Sequence, residues 1–269
     1  MLRSILGLAL ALVAAPQPNI LPCTVFLASR GGVVLAGNNE DYTDKDTKVW
    51  FHPAAEGSFG RVYFGFGNGF PQGGMNDHGL FFDGLALETR IEAAPGREVF
   101  EGNLIDKGMR ECATVKEVVA LFEHYDFPAL VGGQLFVGDA SGDAAILERQ
   151  AIIRKSAEQL VATNFNQSII PPEKATCPRY RKANEMLDAA ADLNVDVMHD
   201  VLDAVHQNIT VYSNVYDLVH RDVYLFLEHD FTTAVQFNLD EELKKGERAL
   251  DLPAYFAELQ RAQDAQLGK

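Results

Sequence analysis

Residues 23–41 read CTVFLASRGGVVLAGNNED, and this stretch decides how the rest of the chain is interpreted. Two runs rich in apolar and β-branched residues flank the dipeptide Gly31-Gly32, a pattern typical of a β-hairpin with a two-residue turn. The first run opens with Cys23, and the second ends in the polar segment 37–41. The pattern therefore predicts two paired strands with a cysteine at the start of the first.

The remaining chain continues in the same style. A second hairpin is predicted at residues 134–138 and 144–148, around the turn Asp139-Ala-Ser-Gly142. Further predicted strands are 61–66, 80–87, 159–163, 215–227 and 233–238, and predicted helices are 101–111, 115–125, 179–190, 195–206 and 254–267. Hairpins interleaved with pairs of helices predict an α+β fold of mostly antiparallel sheets covered by helices. No Pro/Gly/Ser-rich linker divides residues 23–269, so we expect one domain there.

Residues 1–22 have the features of a targeting segment. Arg3 precedes an apolar run from Ile5 to Ala15, which ends at Pro16. The run is too short to span a bilayer and matches the central region of a secretory signal; a buried core helix is the alternative. We expect residues 1–22 to be a signal peptide plus a short propeptide, and the mature protein to be secreted or periplasmic without stable membrane insertion.

Composition excludes several classes of function. The formal net charge is −15 and no basic block exists, so a nucleic-acid-binding surface is not expected. The seven histidines show no metal-ligand spacing, so we expect no metal and no cofactor. Three cysteines leave an odd one in an exported protein. Cys112 and Cys177 form either a disulfide or two buried thiols, and we favour the thiols.

Cys23 offers specific chemistry if the chain is cut before it. A new α-amine, with a reference pKa of about 7.7–8.0, is a general base for the thiol of the same residue. Two other interpretations are a buried strand thiol and a lipidated N-terminal cysteine. Pro22 disfavours lipidation, because that processing requires a small residue at this place.

Several segments, in the same order along the chain, resemble the choloylglycine hydrolase and penicillin V acylase family. They are Cys23-Thr24, the 37–41 segment GNNED, Gly74-Met75-Asn76-Asp77-His78-Gly79-Leu80, the 139–148 hairpin, Thr163-Asn164, and finally Pro178-Arg179-Tyr180 with Tyr212-Ser213-Asn214-Val215-Tyr216-Asp217. The resemblance extends from Cys23 to about Asp240. It implies a four-layer αββα sandwich of the N-terminal-nucleophile (Ntn) hydrolases. It also implies hydrolysis of a linear amide bond in a small N-acyl compound through a thioester, after autocatalytic exposure of Cys23, by a protein that often forms homo-oligomers.

The same resemblance assigns site residues. Cys23 matches the nucleophile, Asp41 the carboxylate that orients it, and Asn164 the side-chain amide of the oxyanion hole. Arg179 matches the active-site arginine. Pro178 is predicted to open a helix, where the helix dipole disfavours a cation, so we expect Arg179 to have a partner elsewhere, such as the active-site carboxylate or an anionic transition state. Without the resemblance, Asp41 and Asn164 are ordinary turn residues, and Arg179 belongs to a solvated basic turn paired with Glu173 or Glu185.

Two positions depart from the family pattern. Asn38 stands where the family usually has arginine, so a cation near the nucleophile is missing, although Asn38 can still bond to the cysteine or the substrate. Ala86 stands where bile-salt hydrolases have asparagine and penicillin V acylases have tyrosine. Its backbone N–H is still available for the oxyanion hole. Both departures disfavour bile salts as substrates.

Two further functions stay open at this point. An acyltransferase would use the same acyl-enzyme but an amine in place of water. A non-catalytic secreted binding protein would keep the fold, and the missing arginine at Asn38 is its best support.

Overall fold

The computed structural model describes residues 23–268, so the predicted signal and propeptide lie outside the described residues. Two antiparallel sheets face each other in this part of the chain. The first has six strands in the order β12-β1-β2-β13-β14-β15. Its strands are β1 (Thr24–Arg30), β2 (Val33–Asp41), β12 (Gln159–Thr163), β13 (Thr210–Asp217), β14 (Asp222–Leu227) and β15 (Val235–Asn238).

The second sheet has eight strands in the order β11-β10-β9-β6-β5-β4-β3-β16. They are β3 (Thr47–His52), β4 (Arg61–Phe66), β5 (Pro71–Asn76), β6 (Phe81–Ala86), β9 (Gly133–Gly138), β10 (Ala144–Leu147), β11 (Ile152–Arg154) and β16 (Arg248–Asp251). A separate short parallel pair joins β7 (Glu98–Val99) to β8 (Tyr125–Asp126).

The β1–β2 hairpin has the predicted two-residue turn. Gly31 and Gly32 have φ of 61° and 87°, which a residue with a side chain rarely adopts. Pairing runs from Arg30 opposite Val33 to Thr24 opposite Asn39, and the same register extended by one residue sets Glu40 opposite Cys23. Because side chains alternate along a strand, the turn decides which residues share a face with Cys23.

Helices cover the outer face of each sheet. Helix α1 (Leu104–Glu111) and α2 (Val115–His124) pack on the second sheet, while α3 (Pro178–Ala189) and α4 (Val195–Val205) pack on the first. Asn103, Thr114 and Asn194 cap α1, α2 and α4, accepting N–H groups that the first helical turn leaves unpaired. Short α5 (Leu239–Leu243) and the last helix, α6 (Leu252–Gln266), lie beside β3, β15 and β16.

The largest apolar cluster lies between the two sheets, so the order of layers is helix, sheet, sheet, helix. The expected α+β αββα sandwich is confirmed. One strand prediction is wrong: residues 215–227 form not one strand but the end of β13, a turn, and β14. Strands β3, β5, β11 and β16 were not expected from the sequence.

Two other findings bear on the predictions. Cys112 and Cys177 are both free thiols, with Cys112 buried and Cys177 only half-buried. Within residues 23–268, no helix has both the length and the apolar character that crossing a bilayer requires.

Candidate active site

Cys23 lies directly before β1, on the face of the first sheet that points into the core. Its side chain shares that face with Val25 and Leu27 and is 5% exposed. The thiol contacts two oxygen atoms, Oε1 of Glu40 and the backbone oxygen of Asp41, each 4.0 Å from Sγ. A rigid strand start thus holds the predicted nucleophile among acceptors of hydrogen bonds.

Arg179 reaches Cys23 from the first turn of α3. Pro178 opens this helix as predicted. One guanidinium nitrogen, Nη1, donates to the backbone oxygen of Cys23 and, at 2.7 Å, to Oγ1 of Thr24. The other, Nη2, donates to Oδ1 of Asn164 at 3.1 Å. Although the helix dipole disfavours a cation here, Arg179 holds the predicted nucleophile and the predicted oxyanion residue in place. It does not pair with Glu173 or Glu185.

Asn164 follows the end of β12, the strand beside β1. Its Oδ1 accepts from Arg179, and its Nδ2 donates to the backbone oxygen of Ala86 at 2.8 Å. Ala86 is the last residue of β6 in the opposite sheet, where it is exposed. One asparagine side chain therefore bridges the two sheets beside Cys23 and brings the two predicted oxyanion residues together.

Asp41 ends β2 on the other side of Cys23. Its Oδ1 accepts a hydrogen bond from the hydroxyl of Thr210 on β13, while Oδ2 is buried without a hydrogen-bond partner among the described residues. Burial raises the pKa of Asp41 to about 7, an effect that the Thr210 hydrogen bond and the charge of Arg179 partly offset. Asp41 therefore has an oxygen available for a donor such as an amine.

Asn38 is buried on β2 three residues before Asp41, opposite Val25 and Asn214. Neither its Oδ1 nor its Nδ2 has a hydrogen-bond partner within the described part of the chain. The structure thus places Asn38 in the core below Cys23, and no bond between Asn38 and the thiol is present.

Two buried acids near Cys23 were missed in the sequence. Glu40 lies opposite Cys23 on the neighbouring strand, and Asp83 comes from β6 of the facing sheet. The hairpin turn and the alternation of side chains would have pointed to Glu40. No local signal reveals Asp83, because its position depends on how the two sheets pack.

These acids shape the electrostatics of the thiol. Burial raises the pKa of the Cys23 thiol well above its usual range, and the negative charges of Glu40 and Asp41, when these groups are ionised, raise it further. Burial likewise raises the pKa of Glu40 to about 8. The resting state of the site at neutral pH is therefore an uncharged thiol.

A cavity of about 250 Å³ opens onto Cys23. Its polar lining includes Glu40, Asn68, Gln72 and Gln134, whereas most of its wall is apolar. The apolar residues include Phe66, Phe70, Leu85, Ile105, Phe127 and Leu130. Cavities with apolar walls and a few polar groups at one end are typical of small-molecule sites. Among residues 23–268, no cluster of His, Cys, Asp and Glu side chains is arranged to hold a metal ion.

Comparison with known proteins supports the fold. No protein-family model matches the sequence, and no curated protein matches it in sequence. Solved structures do match. A variant of conjugated bile acid hydrolase from Clostridium perfringens has a TM-score of 0.66 at 12% identity, over 85% of this chain and 95% of that one.

Two further structures extend the comparison. Penicillin V acylase from Agrobacterium tumefaciens has a TM-score of 0.63 at 18% identity, over 86% of this chain and 92% of that one. An N-acylethanolamine-hydrolyzing acid amidase orthologue from Caenorhabditis elegans has a TM-score of 0.54 at 16% identity, over 73% and 93%. The chain thus has the Ntn-hydrolase fold of these amide hydrolases, as the resemblance predicted.

Proposed function

We propose that this protein is an exported Ntn amide hydrolase that uses Cys23 to cleave the linear carbon–nitrogen bond of a small N-acyl compound. The observation that carries the proposal is the network in which Arg179 bonds to both Cys23 and Asn164, and Asn164 bonds to Ala86, at the opening of an apolar cavity. The fold shared with three amide hydrolases supports it. The proposal includes export by residues 1–22 and autocatalytic removal of the last of them after Pro22.

The reaction begins with proton transfer inside one residue. Once Cys23 is the first residue, its α-amine accepts the thiol proton, and the thiolate and ammonium form an ion pair. Oδ2 of Asp41 accepts a hydrogen bond from that ammonium group, because this oxygen is buried near the end of β2 without another partner among the described residues. Asp41 thereby holds the amine in orientation.

The thiolate then attacks the carbonyl carbon of the amide. The developing oxyanion accepts hydrogen bonds from the side-chain amide of Asn164 and the backbone N–H of Ala86. The carbon–nitrogen bond breaks, the leaving amine takes the proton from the α-ammonium, and the acyl group stays on sulfur as a thioester. Water, deprotonated by the α-amine, attacks the thioester, releases the acid and regenerates the thiol.

The lining of the cavity favours a substrate whose acyl group is apolar and binds inside it. Its wall is largely aromatic and aliphatic, while Glu40 is the acid beside the thiol. A cation at position 38 is missing, so a strongly anionic group next to the scissile bond is poorly accommodated. We therefore expect neutral N-acyl amides to be better substrates than amides with an acidic amine portion.

The first experiment is intact-mass and N-terminal analysis of the protein expressed from the full sequence, with and without a thiol-reactive probe. We expect a chain that begins at Cys23 and is labelled there, and an apolar N-acyl amide to be hydrolysed by it. Cys23→Ala is expected to abolish hydrolysis, whereas Cys177→Ser, which changes another accessible thiol, is expected to retain it. A chain that keeps Pro22, or a Cys23→Ala variant that still hydrolyses the amide, would overturn the proposal.

A further inference from the structure

Several buried polar side chains lie between the two sheets beneath Cys23. They include Asn38, Glu40, Tyr212 and Asp83, and all are less than one-tenth exposed. Both polar atoms of Asn38, both carboxyl oxygens of Asp83, Oε2 of Glu40 and the hydroxyl of Tyr212 have no hydrogen-bond partner among the described residues. A buried polar group without a protein partner is unfavourable, and a cluster of four such side chains beside one thiol points to a role in its chemistry.

Glu40 is the member of this group that touches the thiol. Strand β2 lies between β1 and β13, and Glu40 on it is opposite Cys23 on one side and Tyr212 on the other. The titratable groups around it are Cys23 directly before β1, Tyr212 and Tyr216 from β13, Asp83 from β6, and Asp41 on its own strand. None of these is a cation, and within residues 23–268 neither Glu40 nor Asp83 has an ion-pair partner.

Both acids are therefore held in the uncharged form at neutral pH. Burial raises the pKa of Glu40 to about 8, with a contribution from Asp41. Burial and the proximity of Glu40 raise the pKa of Asp83 well above its ordinary value. An uncharged carboxyl group has an O–H and can donate a hydrogen bond, which a carboxylate cannot.

We propose that Glu40 in its acid form donates its O–H to the Cys23 thiolate. This hydrogen bond stabilises the thiolate in place of a cation, which is missing at position 38. This inference rests on the proposed function. The thiol proton goes to the α-amine and Glu40 keeps its own, so the charged groups formed are one thiolate and one ammonium. In the resting thiol the contact is long, at 4.0 Å, and it shortens when the sulfur acquires a charge.

Glu40 then has opposite effects on the two sides of its titration. Below about pH 8 its O–H stabilises the thiolate. Above that pH it is a carboxylate, which repels the thiolate and offers no donor. A merely structural buried acid would not produce a reversal of this kind.

The test is the rate of Cys23 alkylation by iodoacetamide between pH 6 and 10, in the processed protein and two variants. Glu40→Gln keeps a donor of the same shape but cannot ionise, and Glu40→Met keeps the length without a donor. At pH 7 we expect wild type and Glu40→Gln to react at similar rates, and Glu40→Met to react about 10- to 100-fold more slowly. Above pH 8.5 we expect Glu40→Gln to overtake wild type.

Equal rates for Glu40→Met and wild type at pH 7, or parallel pH profiles for Glu40→Gln and wild type, would overturn the inference. Thermal unfolding of each variant, with Glu40→Gln as the fold control, separates misfolding from loss of the donor. Alkylation does not depend on an amide substrate, so the result also separates the two proposals. A Cys23 that no variant and no pH makes reactive would refute the proposed function, whereas a reactive Cys23 indifferent to Glu40 would refute this inference alone.

Discussion

At the scale of single residues, Arg179 makes the most connections in the candidate site, because its guanidinium bonds to three other residues. Its two terminal nitrogens bond to Cys23, Thr24 and Asn164. The planar fork of an arginine can make these bonds at once, and the single ammonium of a lysine cannot. The positions of the thiol and of Asn164 are therefore coupled through one side chain.

Arg179→Lys is expected to lower kcat by about 10- to 100-fold with little change in KM, because it misplaces the reacting groups and leaves the apolar cavity intact. Steady-state kinetics with an N-acyl amide checks this. Arg181→Lys is the matched control, since Arg181 lies on the same helix and its side chain bonds only to the backbone oxygen of Ala175 within the described residues. A variant Arg179→Lys with wild-type kcat would contradict the coupling.

Asp41 gives a prediction about pH. Burial raises its pKa to about 7, so Asp41 is ionised above that pH and neutral below it. Since the proposed mechanism uses the carboxylate to hold the α-ammonium, activity should rise as the pH increases through about 7. In Asp41→Asn the amide keeps a partner for Thr210 but has no charge, so we expect a rate lower by at least about tenfold and no acidic limb near pH 7. A pH–rate profile that retains this limb in Asp41→Asn would assign it to another group.

The sequence reveals some of these residues and hides others. Cys23, Asp41, Asn164 and Arg179 were predicted because each belongs to a short motif, and the structure brings them together. Glu40 lies inside one of those motifs, but its place opposite Cys23 follows only from the register of the β1–β2 hairpin. Asp83 belongs to the opposite sheet, and no local pattern reports which strands of two sheets face each other.

At the scale of elements, the hairpins with glycine turns were predicted well and the turns built by side chains were not. The β13–β14 turn contains no glycine or proline. Oδ1 of Asp217 accepts the N–H groups of Val219 and His220, and Arg221 has φ of 61°. Apolar Leu218 and Val219 therefore continue the strand pattern through a turn. Strand β5 was missed because it begins with proline and contains two glycines, which normally disfavour a strand.

The turn between β5 and β6 contacts the β13–β14 turn of the other sheet. Gly79, in the β5–β6 turn, has φ of 75°, and a Cβ there would lie 2.2 Å from the backbone oxygen of Leu218 in the β13–β14 turn. We expect Gly79→Ala to destabilise the protein by about 3 kcal/mol or more in total. The left-handed backbone alone accounts for about 1–2 kcal/mol of this, and the clash with Leu218 accounts for the rest. Thermal or urea unfolding measures this.

Gly57→Ala separates strain from collision. Gly57 also has a positive φ, of 70°, but no atom lies within 4 Å of its added Cβ. Equal losses of stability in Gly57→Ala and Gly79→Ala would mean that the β5–β6 turn and the β13–β14 turn are not in tight contact.

At the scale of the whole molecule, the buried acids make stability depend on pH. In the unfolded chain Glu40 and Asp41 ionise near their reference pKa values of about 4, whereas in the folded protein they ionise near 8 and 7. Their contribution to stability is thus complete below pH 4 and is lost as the pH rises towards 8. The net charge of −15 adds self-repulsion over the same range. Asp126, whose pKa the Arg149 ion pair lowers, contributes the opposite trend at acid pH.

We therefore expect the melting temperature to be highest near pH 5 and to fall up to pH 8, as measured by differential scanning calorimetry. Glu40→Gln should flatten that fall, because the glutamine does not ionise in either state. Glu158→Gln, at an exposed glutamate, should leave the slope as in wild type. A slope that Glu40→Gln does not change would show that Glu40 is not held uncharged in the folded protein.

The bond between Arg179 and Cys23 joins residues 156 positions apart, and the bond between Thr210 and Asp41 joins residues 169 positions apart. A protein made from its N-terminus synthesises the thiol first and the residues that position it much later. Because β13 must pair with β2 to complete the sheet around Cys23, a nascent chain that ends before Thr210 lacks part of the machinery. The surroundings of Cys23 can therefore be completed only when most of the polypeptide has left the ribosome.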